Sequence, residues 1–312
     1  MTINPDDLEA LDELEYQIKA ILPEVYQDTY EDVQPVPMRS AGLVYDADGK
    51  VAWDELWESF CDLAMAGGPP HKGTLLEPGL RADIDAQPDR YRGVTDEICR
   101  GITQATGLPA QASPTPGWVH ITCVSPGMAG WLARAIVMEN VAARCAGPAI
   151  DLPAAPGFRL EKEIKNVVTV VAKTCHYWDG HMPSLQQRSI GSMFSKMAKT
   201  SPLVEPAYAS DDLAADRHEF DCTRVADAIY GATGLRRSSH RSVGWVGLEC
   251  GKVGAAIWMM RALVVSNILS RREGTALMVP VNSATDPNGQ RVVTAVPQVH
   301  RLATARDRKS VV

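Results

Sequence analysis

The stretch Lys173-Thr174-Cys175-His176-Tyr177-Trp178-Asp179-Gly180-His181 brings an amine, two imidazoles, a carboxylate and two aromatic rings close together in the chain. Imidazole titrates near neutrality, so His176 is a candidate general acid/base, with Lys173 beside it to hold negative charge and the rings as a wall. The competing reading is a polar linker whose aromatics pack on the core. His176, Asp179 and His181 also form a donor set suited to zinc, iron or manganese. Their His-x4-His spacing faces the wrong way on a regular helix, so a turn at Gly180 would have to bring the rings together.

Three further places carry reactive groups. His120 shares a strand face with Trp118 and Thr122, where it is either catalytic or a satisfied core histidine. The loop Ala66-Gly67-Gly68-Pro69-Pro70-His71-Lys72-Gly73-Thr74 can present amides, His71 and Lys72 to an anion, or be an ordinary interhelical turn. It does not follow the GxxxxGK[ST] pattern of a nucleotide P-loop. Arg134, Asn140 and Arg144 fall on one arc of an apolar helix, as do Arg261, Asn267 and Arg271. Charge on such a helix needs a partner, either an acidic ligand or an acid such as Glu139, Glu161 or Glu163. GxSxG, HExxH, kinase and Rossmann fingerprints do not occur.

These residues sit in a chain that repeats itself. Ala105-Thr106-Gly107-Leu108, Gly117-Trp118-Val119 and Cys123 recur as Ala232-Thr233-Gly234-Leu235, Gly244-Trp245-Val246 and Cys250, always 127 positions on. About 20 identities fall in the 56 positions from Ile98 to Pro153, against three or four from composition alone. Leu75-Leu76-Glu77-Pro78 matches Leu203-Val204-Glu205-Pro206, and Val167-Val168-Thr169 matches Val292-Val293-Thr294. Residues shared by both copies then serve a common scaffold, among them Cys123 and Cys250. Reactive residues of one copy, such as Lys173, His176 and His120, mark the candidate specialised site.

Each copy reads as α-β-α-β-β. A helix over 96–106 ends at Gly107, and a strand runs over 118–124. Ser125 and Pro126 open a buried helix to about Cys145, and strands follow at 149–153 and 166–173. Asn288-Gly289 supplies the turn of the last β-β connection in copy two. The predicted fold is α/β (α+β): a tandem internal duplication forming a pseudo-two-fold pair, with mixed sheets covered by helices. The expected division is an acidic helical extension over 1–50, repeats over 51–178 and 179–303, and a mobile basic tail over 304–312. Leu8, Leu11, Leu14 and Ile18 give the extension an apolar stripe, a hairpin is expected at 45–50, and a further helix at 53–65.

Hydrophobic residues at 45% and charged residues at 22% fit a globular protein. A net charge of −7 argues against nucleic acid or an anionic membrane as partner, and the apolar run Val253 to Leu269 is broken by Arg261. The acidic start lacks the cationic region of a signal peptide. Seven cysteines without a CxxC pair fit reduced thiols in the cytoplasm better than disulfides or a zinc ribbon. The leading expectation is an enzyme acting on a small anionic molecule at a cleft between the repeats. His176 is its general acid/base, with Lys173 and His120 catalytic and His71, Lys72, Arg134 and Arg261 binding charge. The alternatives are a non-enzymatic assembly or cofactor-maturation factor that docks a protein through the N-terminal helix, and a metal-binding protein using His176, Asp179 and His181. The sequence identifies no cofactor.

Overall fold

The computed structural model describes residues 4–28, 42–55, 74–209, 211 and 215–309. His71 and Lys72 lie outside the described residues, as does the expected helix beyond residue 55. The chain divides into two compact units: Val33–Gly191, the first unit, and Met1–Asp32 with Ser192–Val312, the second.

The first unit runs α2 (Arg81–Ala86), α3 (Pro88–Thr106), β1 (Ala110–Ala112), β2 (Trp118–Thr122), α4 (Pro126–Met138), β3 (Arg144–Ala146), β4 (Ala149–Pro153) and α5 (Lys165–Gly180). The helix α6 (Ser184–Thr200) follows. The second unit contains α1 (Pro5–Ile21), α7 (Ala215–Thr233), β5 (Arg237–Ser242), β6 (Trp245–Glu249), α8 (Val253–Val265), β7 (Arg271–Glu273), β8 (Ala276–Pro280) and α9 (Gln290–Lys309). The class is α+β, with two four-stranded sheets ordered β1-β2-β4-β3 and β5-β6-β8-β7. Every strand pairing in them is antiparallel, which corrects the expectation of mixed sheets. Short β1–β2 and β3–β4 links force neighbouring strands to run in opposite directions. The strands β1 and β3 were not anticipated; they are three residues each, too short to show alternation.

Local chemistry accounts for the boundaries. Gly107 ends α3 at φ 71°, a conformation that glycine adopts without a Cβ penalty. The Ser125 hydroxyl accepts the Met128 amide and Pro126 opens α4. That helix stops at Met138, not Cys145, because Asn140 turns the chain at φ 62° and its carbonyl takes the amide of Leu76. Asn267 repeats the turn at φ 62°, its carbonyl taking the amide of Val204. Arg144 and Arg271 therefore stand on β3 and β7, off the helical arc assigned to them from spacing.

The strand expected over 166–173 is also corrected. Those residues belong to α5, entered through a π-helical turn at Leu160–Ile164. Nearly every residue from Val167 to Cys175 is buried, and a helix buried all round gives the same apolar run as a buried strand. Packing of α5 on α3 and α4 overrides the strand preference of its valines. The matching residues Val292-Val293-Thr294 lie in α9, which buries one face through Val292, Val296, Val299 and Leu302. Asn288-Gly289 is no hairpin turn: the buried Asp286 carboxylate accepts the amides of Arg291 and Val292 and starts α9 there.

Val119, Ile121, Ile150 and Leu152 form the core face of the first sheet, and Val246, Leu248, Leu277 and Val279 that of the second. Helix α1 packs on α8 and α9 through Leu11, Ile18 and Ile21, so its apolar stripe is covered within its own unit. Residues 304–309, read from sequence as tail, are the last turns of α9, with Arg306 paired to Glu15 and Lys309 to Asp12. The expected hairpin at 45–50 is present, Tyr45 bridging Val51. Among the described residues no helix is long and apolar enough to cross a membrane.

Candidate functional site

Lys173 and His176 both lie on α5, where a helix brings residues three apart onto one face. Lys173 is buried and committed: its Nζ lies 2.8 Å from Glu139 Oε1 at the end of α4. His176 Nε2 lies 3.0 Å from His181 Nε2, so one ring donates and the other accepts. Burial and the neighbouring His181 lower the His176 pKa, outweighing Asp179, which raises it. Burial in turn raises the Asp179 pKa. Trp178 packs on Trp131, ring centroids 5.6 Å apart. No group of three or more His, Cys, Asp or Glu placed to hold a metal ion occurs among the described residues. His176, Asp179 and His181 are thus not gathered into the three-ligand set that their types suggested.

His120 lies across the sheet from Asp151, its Nδ1 2.8 Å from the carboxylate. Gln111, His120, Asp151 and Arg144 are successive register partners, a polar row on the face opposite the core. Arg144 lies over the Trp118 ring at 4.5 Å, and Arg271 lies over Trp245 at 4.8 Å in the second unit. Of the arginines assigned to charge binding, Arg134 donates to the Gly130 carbonyl on its own helix at 2.8 Å. Arg261 donates to the Tyr26 carbonyl of the second unit at 3.2 Å. The first unit therefore brings Lys173 and His176 onto one helix and gives Lys173, His120 and Arg134 each a partner within the unit.

Comparison of the units explains why. Lys173 and Glu139 correspond to Gln298 and Ser266, so both ends of the ion pair are neutral in the second unit. His120 and Asp151 correspond to Gly247 and Met278. A Cβ on Gly247 would come within 2.8 Å of the Ser238 side chain and 3.0 Å of the Met278 sulfur. At both places the second unit differs from the first at the two partners together. Joint difference is what mutual satisfaction of two partnered polar groups predicts.

The same comparison exposes a site that sequence reasoning overlooked. In the second unit a hollow of ≈ 660 Å³ is lined by Leu235, Cys250, Lys252, Met259, His300 and Ala303, among others. Gly251, Ala255, Thr304, Asp307 and Arg308 complete the lining. This volume lies in the range of small-molecule sites. The first-unit counterparts of Ala255 and Ala303 are Met128 and Trp178, both buried. There α6 also crosses the head of α4 so closely that a Cβ on Gly127 would lie 2.9 Å from the Gly191 Cα. The hollow thus lies where the first unit is packed. Lys252 stands at the N-cap of α8, where no side chain caps the helix, whereas its counterpart Ser125 caps α4.

Charge in the hollow is mixed. Lys252 lies 3.9 Å from Asp307, and Arg308 adds a further cation. Burial lowers the His300 pKa, which keeps the ring neutral near pH 7. Burial also pushes the Cys250 thiol up to about 11, which disfavours the thiolate, and that thiol donates to the Leu248 carbonyl. The replacement of Trp178 by Ala303 was readable as a large-to-small change, but only once both segments were known to be helical. A second hollow, ≈ 500 Å³, lies in the first unit beside Lys50, Arg90 and Arg100. There Arg100 is already paired with Glu97, which also takes the Trp53 indole N–H. Comparison with protein-family models, curated proteins and solved structures found no match.

Proposed function

We propose that the chain binds a small anionic molecule, and that the site is the hollow of the second unit at the head of α8. The observation that carries this reading is the replacement of the buried Met128 and Trp178 by Ala255 and Ala303, beside an α8 N-terminus that no side chain caps. First-turn amides and the helix dipole favour an anion there, and Lys252 and Arg308 outnumber Asp307. If the ligand is turned over, His300 is the group to move a proton, in the role first assigned to His176. This reading takes the two units as tandem copies of one ancestral unit. The first copy keeps a packed interior and the second has opened it.

Ala303→Trp restores the first unit's side chain and closes the hollow. Calorimetric titration of the full chain with inorganic phosphate and with a panel of small carboxylates provides the test. At least one anion should bind the wild type and bind Ala303→Trp at least tenfold more weakly, with the unfolding midpoint preserved. Equal binding by both proteins would remove the hollow as the site.

A further inference from the structure

The first unit shows what its counterpart lacks. Trp178 fills the space between α4 and α5 with an indole, tilted 44° against Trp131. The Ser125 hydroxyl places an acceptor oxygen on the α4 amides, 3.1 Å from the Met128 nitrogen. The second unit has Ala303 at the position of Trp178 and Lys252 at that of Ser125, while Trp258, at the position of Trp131, is buried and outside the lining of the hollow. Ala303 and Lys252 line one hollow, so a single molecule can reach both.

We infer that the ligand is an aromatic carboxylate, whose ring lies on the apolar wall beside Ala303, the position of the Trp178 indole, and whose carboxylate takes the place of the Ser125 hydroxyl. This rests on the anion-binding reading above and adds the shape of the apolar part. Leu235, Ala255, Met259 and Ala303 offer that part an apolar wall. An aromatic body loses little conformational entropy on binding and matches the flat group that the packed unit holds there. A carboxylate accepts from the first-turn amides as a serine oxygen does, and its charge is opposed by Lys252 and Arg308. A bare inorganic anion would leave the apolar wall unfilled.

The test titrates the full chain with indole-3-acetate, indole-3-acetamide, acetate and inorganic phosphate. Indole-3-acetate should bind at least tenfold more tightly than the other three. Ala303→Trp should abolish that binding, and Ala255→Met, a smaller refilling, should weaken it. Lys252→Ser restores the internal cap and should reduce affinity for indole-3-acetate by about tenfold, with little effect on indole-3-acetamide. If acetate or phosphate binds as tightly as indole-3-acetate and is excluded by Ala303→Trp, the aromatic inference fails while the anion site stands. If none of the four binds, the inference is overturned, and the carboxylate panel then decides the anion site separately.

Discussion

Replacing Lys173 by methionine separates a structural amine from a functional one. The Lys173 ammonium and the Glu139 carboxylate lie 2.8 Å apart with side-chain exposures of 4% and 17%. Glu139 Oε2 is itself buried without a hydrogen-bond partner. Removing the lysine leaves a carboxylate that water can barely reach, and breaking such a pair costs about 3–5 kcal/mol. For a unit of about 150 residues, each kcal/mol moves the melting temperature by ~2–4 °C, so a fall of roughly 6–20 °C is expected. Glu139→Ser together with Lys173→Gln installs the neutral residues found at Ser266 and Gln298. That double variant should recover most of the loss, giving a coupling of about 2 kcal/mol or more in a double-mutant cycle. Urea unfolding of the wild type, Lys173→Met, the Glu139→Ser and Lys173→Gln singles and their double, with hydrogen exchange to assign the change to the first unit, measures it. A loss below about 1 kcal/mol in Lys173→Met, or a double variant no better than the sum of the singles, would refute the structural account.

Gly244→Ala and Gly234→Ala should differ sharply although both glycines have φ near +75°. A Cβ at Gly244 would overlap the Ala207 carbonyl oxygen, whereas nothing lies within 4 Å of one at Gly234. The first should cost on the order of 3 kcal/mol or more and the second about 1 kcal/mol by chemical denaturation. The Glu163 carboxyl titrates at about 2: burial pushes it up, but the Arg159 guanidinium and amide more than offset that. A depressed pKa gives stability present above the unfolded value of about 4.3 and lost as pH falls towards 2. Because Arg159 is exposed, the contribution is discounted to about 1 kcal/mol, and Glu163→Gln should flatten the first unit's stability profile across that window. His176 has a lowered pKa, so its contribution is present above about 6.5 and lost as pH falls through the lower folded value. An imidazole titration followed by NMR that places His176 above 6.5 would contradict the burial argument.

Much of the scaffold was legible because it rests on short-range chemistry. The glycine that ends α3, the serine and proline that open α4, and the aromatic and β-branched residues of β2 all act within a few residues. Burial decided the rest. A valine-rich run reads as a strand when half its residues face water, and α5 has almost none that do. Reading the repeat alone missed the partners of the one-copy residues. Residues present in one copy were taken as reactive, yet Lys173 with Glu139 and His120 with Asp151 are partners across 34 and 31 positions. No local pattern links such positions. The hollow was harder still, because it is marked by small residues, Ala255 and Ala303, and no motif draws attention to an alanine.

The ion pairs from Asp7, Asp12 and Glu15 to Arg301, Lys309 and Arg306 join residues almost 300 positions apart. The second unit is therefore discontinuous in the chain, with residues 33–191 inserted into it. On the ribosome, the inserted unit emerges whole and can fold early, while α1 waits, its apolar stripe uncovered, until α8 and α9 have been made. Chaperone demand during synthesis should thus centre on the first thirty residues. A circular permutant that moves α1 behind α9 should shorten that wait and refold faster than the native order.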